Sequence, residues 1–296
     1  MAPHPPSTLP DATSNLGGLT VVSSFVSCLK ANGLDSLEAM FSIDTAERLA
    51  KPGLDSWRER LRLQLGHEGR TITCYLKRFA NPPAAFSREV RRSGSGARSV
   101  AGMEWTWMRR LAAEGIPAVQ PVAFGEHVIG RRERRSAILA LAVPGRSLEA
   151  WWGVWTGRER SKVEALIDAT AALAARFHGL GYVHRDLYAA HLFFDPDAEA
   201  GKALHLIDVQ RIFRPRRRMR RWIVKDLAAL NYSCPARLVT RSDRLRWLKR
   251  YLGLTKLDAP AVRLAYRIIG KTYSIAAHDR RRTARAATGT VMADQR

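Results

Sequence analysis

The chain reads as strands with two helices up to about residue 142 and as mostly helix after it, and that order restricts the fold more than any single residue does. "RLRLQL" (60–65) puts Leu61, Leu63 and Leu65 on one face of a half-buried strand. Runs at Arg48–Ala50 and in "RTITCYLKRF" (70–79), with turns at "KPGLDS" and "GHEG", make residues 47–79 a three-stranded antiparallel meander. A short helix is expected from Leu34 to Phe41. The polar stretch "RRSGSGARS" leads into a second helix, where Val100, Met103, Trp107 and Leu111 recur at helical spacing until "EGIP". "PVAFGEHV" and "SAILALAV" are two further strands, joined by the basic turn "GRRERR". "PGRSLEAWW" then breaks the pattern, and the remainder of the chain is mostly helical. Leu166, Ala169, Leu173, Phe177 and Leu180 are expected on the core face of a helix over 161–180. A short hairpin ("LFF" to "ALHLID") and more helices run to residue 277.

At 296 residues the chain can hold one large domain or two lobes, and 46% apolar residues are ample for a core. No apolar run reaches the roughly 18 residues of a membrane span. "LTVVSSFVSCL" lacks a basic leader, so it is a poor signal peptide. Cys28, Cys74 and Cys234 are few and odd in number, which suits a reducing compartment. A cytoplasmic protein is expected, with no zinc-ligand spacing anywhere. The net charge of +22 predicts attraction to nucleic acid, anionic membrane surfaces or phosphorylated substrates. Charge alone does not choose among them, since arginine is spread along the whole chain.

"YVHRDLYAAHLFFD" (182–195) admits three readings: the catalytic loop of a phosphotransferase, a metal site, or a chance polar run. The order of elements favours the first, because strands plus one helix, a break, then helix, loop, hairpin and helices is the order of the kinase fold. Phosphoryl transfer to a hydroxyl needs a lysine on the nucleotide phosphates and a carboxylate to orient it. It also needs an aspartate on the acceptor and ligands for Mg²⁺. Lys77 ends the third strand. Glu104 lies in the apolar stripe of the following helix, where a carboxylate requires a cation. Glu89 competes for that role, but it precedes the Gly/Ser break. Asp186 follows a long helix and a tight turn, as a base for the acceptor proton should. Asp208 closes the hairpin 22 residues later and suits a metal.

"HRDLYAAHLFFD", "LIDVQR", "RRWIVKDLAALNYS" and "TRSDRLRWLKRYL" resemble the lipopolysaccharide kinase (Kdo/WaaP) family, over residues 45–255. The resemblance implies a two-lobed, α+β protein-kinase-like fold with a small antiparallel-sheet N-lobe plus one helix and a mostly helical C-lobe. It implies ATP with Mg²⁺ and a heptose or Kdo hydroxyl of the lipopolysaccharide core as acceptor; a histidine ligand would also suit Mn²⁺, which tolerates nitrogen better. His191 matches the histidine standing where protein kinases have a metal-binding asparagine, and Arg211 the arginine after the metal aspartate. Asp226 matches the aspartate that braces the catalytic loop, with Arg185 as further support. The chain departs from protein kinases in two places: "KPGLDSW" supplies one glycine where a glycine-rich phosphate loop would stand, and "DVQ" replaces Asp-Phe-Gly.

From Val209 to Lys225 the chain has eight Arg/Lys, no acid and no Ser, Thr or Tyr. No phosphorylation can switch this segment, and a glycolipid or small acceptor fits it better than a protein. Arg216, Arg217 and Arg218 are therefore candidate acceptor-binding residues, facing a lipopolysaccharide core or related anionic saccharide. An anionic membrane surface, such as the inner membrane, is a peripheral partner on the same grounds. Two other classes compete: a kinase-like enzyme for another small alcohol, and a non-catalytic nucleic-acid-binding protein. Arg185 and His191 count against the first. No helix-turn-helix, zinc finger or aromatic RNA motif supports the second, so no specific nucleic acid is expected. The expected organisation is an N-terminal extension, partly disordered, over 1–44, an N-lobe over 45–142, a C-lobe over 143–277 and a basic disordered tail over 278–296.

Overall fold

A computed structural model describes residues 12–49, 55–156, 159–198 and 203–293; side chains are described to Ala284. The chain forms two compact units. The first runs to Pro144 and regains His205–Phe213, and the second comprises Gly145–Leu204 and the chain from Arg214 onward.

The first unit contains, in chain order, β1 (Thr13–Leu16), β2 (Leu19–Val22), α1 (Val26–Ala31), α2 (Leu37–Ser42), β3 (Glu47–Arg48), β4 (Arg58–His67), β5 (Arg70–Ala80), α3 (Ala84–Arg92), α4 (Val100–Ala113), β6 (Pro121–Ile129) and β7 (Arg132–Leu141). Its strands form one sheet in the order β1-β2-β6-β7-β5-β4-β3, antiparallel throughout. The expected meander is β3-β4-β5. Ala50 and much of "KPGLDS" lie outside the described residues. Leu61, Leu63 and Leu65 of β4 face inward at 3–4% exposure, as their alternation predicts. Each buried leucine of this kind contributes about 1.5–3 kcal/mol.

The segment expected as an extension is part of this core. β1-β2 add two strands beyond β6, and Leu19, Val21, Cys28, Leu29, Leu34 and Met40 pack in one cluster with the leucines of β4. "LTVVSSFVSCL" is thus strand β2 followed by α1, held by burial of its apolar face. The expectation of disorder does not extend to residues 12–44; residues 1–11 lie outside the description.

The second unit contains β8 (Arg146–Ser147), α5 (Leu148–Val154), α6 (Arg160–Gly179), β9 (Leu192–Phe194), the start of β10 (Leu204–Leu206), α7 (Met219–Ser233), α8 (Arg241–Leu252) and α9 (Ala259–Ala293). On α6 the buried face is Val163, Leu166, Ile167, Thr170, Ala171, Ala174, Phe177 and His178. Ala169, Leu173 and Leu180 are only half-buried, so the face is rotated from the expected one. The tryptophans of "WWGVW" pack inward: Trp152 and Trp155 are 7% and 4% exposed, and the Trp151 indole donates to Phe194 O. The tail expected as disordered is helical to Ala293. Its Ala/Arg-rich composition has high helix propensity, and Leu264, Ala265 and Ile268 anchor the start of the helix against Leu227, Ala228 and Leu248. Among the described residues no helix is long and apolar enough to cross a membrane.

Candidate active site

Lys77 sits on β5 opposite Ile138 of β7. Its ammonium donates to Glu104 Oε1 over 2.6 Å, with the Lys77 side chain 19% exposed and that of Glu104 fully buried. The reason is local. Glu104 shares the inner face of α4 with Met103, Trp107, Met108 and Leu111, where a carboxylate needs a partner and Lys77 supplies a charged one. Glu104 Oε2 has no hydrogen-bond donor. The competitor Glu89 lies on α3.

Asp208 enters the same unit on the strand end that returns to it. Val119 N–H donates to Leu206 O, and Leu206 N–H donates to Pro117 O, which ties this strand to the loop after α4. Two residues later Asp208 adopts φ 56°, a left-handed conformation that aspartate tolerates better than most residues. Its carboxylate then lies 3.7 Å from Lys77 Nζ. Its charge also acts on Arg58 of β4, whose guanidinium burial pushes down and Asp55 and Asp208 push up.

In the second unit the loop His184–His191 is held by a carboxylate on α7. Asp226 is fully buried. Its Oδ2 accepts from His184 N–H at 2.6 Å and its Oδ1 from Arg185 N–H at 2.8 Å. Those two bonds hold a turn in which Arg185 has φ 72°, a conformation that costs a non-glycine residue on the order of 1–2 kcal/mol. The Arg185 guanidinium lies 6.0 Å from the Trp222 ring. His178 links Asp226 Oδ2 (3.5 Å) to the Tyr251 hydroxyl (2.9 Å). At the far end of the loop, His191 Nδ1 is 2.7 Å from Asp186 O. A carbonyl only accepts, so Nδ1 donates the proton of this bond. Ser233 accepts from Ala189 N–H at 2.8 Å. Sequence reasoning missed that brace, because one serine on a helix carries no visible signal. Arg216, Arg217 and Arg218 are all exposed just before α7.

The first unit therefore brings together Lys77, Glu104 and Asp208, and the second brings together Arg185, Asp186, His191 and Asp226. The donor set suits a nucleotide and a hard cation. Lys77 uses one of three ammonium protons on Glu104, and Asp208 offers carboxylate oxygens. No cluster of three or more His, Cys, Asp or Glu exists among the described residues. Mg²⁺ takes one or two carboxylates together with phosphate and water, and Asp208 is such a carboxylate.

The family model described as "Lipopolysaccharide kinase (Kdo/WaaP) family" matches residues 68–251. The chain is 33% identical over 158 residues to the lipopolysaccharide core heptose(I) kinase WaaP of Pseudomonas aeruginosa, covering 51% of this chain and 59% of that protein. It is 29% identical over 191 residues to WaaP of Escherichia coli, covering 58% and 72%. The match thus spans about three-fifths of the Pseudomonas relative's length. A solved structure, "WaaP in complex with acyl carrier protein", aligns with a TM-score of 0.59 at 26% identity, covering 80% of this chain and 91% of that one. With the family model covering more than half of its length, this chain is a member of the lipopolysaccharide kinase (Kdo/WaaP) family.

Proposed function

We propose that this chain transfers the γ-phosphoryl group of ATP to a sugar hydroxyl of the lipopolysaccharide inner core, a heptose as in the relatives named above. The observation that carries the reading is the Lys77–Glu104 pair with Asp208 beside it. It supplies a half-buried, oriented cation for polyphosphate and an oxygen ligand for a metal. Lys77 holds the nucleotide phosphates and Asp208 is a ligand for Mg²⁺ or Mn²⁺; His191 is a metal ligand by the family's pattern. The bound metal supplies charge neutralisation of the phosphates. Asp186 takes the proton of the acceptor hydroxyl, and Asp226 and Arg185 keep its loop in shape. With little glycine before β4, Lys77 and the metal carry more of the nucleotide binding than in a protein kinase. Arg216, Arg217 and Arg218 attract the anionic core, and the reaction takes place in the cytoplasm, at the face of the inner membrane. The test is transfer of labelled γ-phosphate from ATP to purified lipid A–core. Transfer that requires Mg²⁺ and is not replaced by stimulation with RNA supports the reading, and ATP turnover indifferent to lipid A–core overturns it.

A second partner is favoured by a cavity of about 300 Å³ in the second unit, lined mainly by apolar side chains including Trp152, Ile167, Leu230, Leu248, Ile268 and Ile269. Since a solved relative is in complex with acyl carrier protein, we propose the same class of partner here, with the cavity receiving an apolar chain. A fluorescent fatty-acyl probe should bind the chain and lose binding when Ile167→Trp fills the space. Equal binding by that variant would remove the cavity from the proposal.

A further inference from the structure

The N-terminus of α4 is held from outside the helix. An α-helix leaves its first amides without internal partners, and its positive end favours a nearby anion. The first turn of α4 contains no acid. Instead, Val100 N–H donates to Glu133 Oε2 at 2.9 Å and Ala101 N–H to Ser136 Oγ at 3.3 Å, both on β7. Gly102 N–H donates to Ser99 Oγ at 3.0 Å, and the Ser136 hydroxyl donates to Glu133 Oε1 at 2.5 Å. Ser99 and Ser136 are fully buried and Glu133 is 1% exposed.

Glu133 reaches this position because β7 is irregular. His127 pairs with Arg135 but Val128 pairs with Glu133, so Arg134 is an extra residue. Strand alternation would send residues 133 and 136 to opposite faces. The bulge turns Glu133 to the side of Ser136, as bulges beside functional sites often do. Space is tight at the first turn of α4 itself: a Cβ on Gly102 would stand 3.1 Å from Glu126 Oε2 and 3.1 Å from Ser99 Oγ. Burial pushes the Glu133 carboxyl up, its bonds to Ser136 and Val100 push it down, and Glu126 on β6 pushes it up again. Placing a carboxylate here is therefore costly, and the helix end it secures is the reason to keep it.

β7 is also the strand paired with β5, with Ser136 opposite Phe79 and Ile138 opposite Lys77. The helix that carries Glu104 is thus bolted to the strand beside Lys77. In protein kinases the equivalent lysine–glutamate pair must be assembled by positioning of the helix. We propose that Glu133, with Ser136, is a positioning residue that locks α4 so that Glu104 meets Lys77 without an activating event. This rests on the phosphotransferase reading above.

The test compares the full chain with Glu133→Ala, Glu133→Gln and Ser136→Ala, and with Leu63→Ala as a control that weakens the same unit's core away from α4. Three readouts are taken: affinity for a fluorescent ATP analogue, KM and kcat, and hydrogen exchange of the amides of residues 100–104. Wild type is measured first. Failure of wild type to bind nucleotide overturns the phosphotransferase reading and this inference with it. With binding established, Glu133→Ala should raise KM for ATP tenfold or more, leave KM for acceptor within twofold, and accelerate exchange at 100–104. Gln keeps an acceptor for Val100 and a partner for Ser136, so Glu133→Gln should return KM for ATP to within threefold of wild type. Ser136→Ala should raise it threefold or more, which keeps the test decisive if Glu133→Ala fails to fold. Faster exchange at 100–104 with unchanged ATP parameters makes Glu133 a structural cap only, which overturns the positioning role. An equal ATP effect from Leu63→Ala overturns the inference as well.

Discussion

Two fully buried carboxylates stand at the centre of the two units, and they are satisfied in different ways. Glu104 meets a side-chain cation, Lys77, at 2.6 Å. Asp226 meets the backbone amides of His184 and Arg185 at 2.6 and 2.8 Å. The first arrangement orients a charge that can act on a ligand. The second orients a stretch of chain, including the left-handed Arg185 that immediately precedes Asp186. Burial costs both carboxylates their hydration, so losing either set of partners is expensive. The functional consequence differs: damage at Glu104 should appear in nucleotide binding, and damage at Asp226 in the placement of the loop.

The largest effect should come from the residue that the second carboxylate positions. Asp186→Asn should leave the fold and ATP affinity near wild type while lowering kcat at least about a hundredfold, the lower range for a lost general base. Turnover within a few-fold of wild type would take Asp186 out of the mechanism. Next, Asp226→Asn and Glu104→Gln should separate the two arrangements. An amide in place of Asp226 turns one acceptor into a donor facing a backbone N–H. Losing one charge-assisted bond costs about 1.5–3 kcal/mol, so kcat should fall roughly 10- to 100-fold with KM for ATP little changed. Glu104→Gln removes the charge beside Lys77 and should raise KM for ATP about tenfold, close to one charge-assisted bond. The reverse pattern, with Asp226→Asn acting on KM and Glu104→Gln on kcat alone, would break the comparison.

The two sites were also unequally legible in the sequence. A glutamate among Met103, Trp107, Met108 and Leu111 calls for a charged partner, and Lys77 at the end of the preceding strand is a natural one. Asp226 carries no such demand in its spelling. Its partners are amides, which every residue has, so only family resemblance assigns it a role. The same limit hid Ser233 and Glu133: the first bonds a backbone amide, and the second faces inward because of a one-residue bulge that no periodicity shows. β1 and β2 escaped notice because four-residue strands carry too little alternation, and β1 is mostly exposed. The Gly17-Gly18 turn between them was the available signal.

A smaller effect should come from the exposed arginines before α7. Arg216, Arg217 and Arg218 are all exposed, unlike Lys77 and Asp226. Each arginine near an anionic surface is worth about 1 kcal/mol, falling off within a Debye length of roughly 8 Å at physiological salt. Their joint replacement by Gln should raise KM for lipid A–core severalfold, leave KM for ATP alone and flatten the salt dependence. Equal phosphorylation of lipid A–core at low and high salt would reduce the cluster to a solvated face.

The smallest expected effect concerns a third carboxylate, Asp243, which combines both arrangements. At 1% exposure it accepts from the Arg160 guanidinium and also from the backbone N–H and hydroxyl of Thr240, closing a capping box on α8. The Arg160 bonds above all, then those of Thr240, hold its carboxyl well below the usual carboxylate range against the opposing pull of burial. A depressed folded value means that Asp243 stabilises above its unfolded value, about 3.9, and that this stability is lost as pH falls toward the folded value. Arg160 is 43% exposed on its side chain, so solvent and salt weaken the ionic part and the cap is the larger share. Asp243→Asn should cost about 1 kcal/mol at pH 7, the usual worth of a cap, or roughly 2–4 °C in Tm. Thermal melts of both proteins from pH 7 downward should converge as Asp243 of the wild type takes up its proton. A gap that stays constant to the lowest pH at which the fold survives would show that Asp243 acts through its shape and not its charge, and would leave Glu104 as the sole carboxylate of the three whose ionic partner matters.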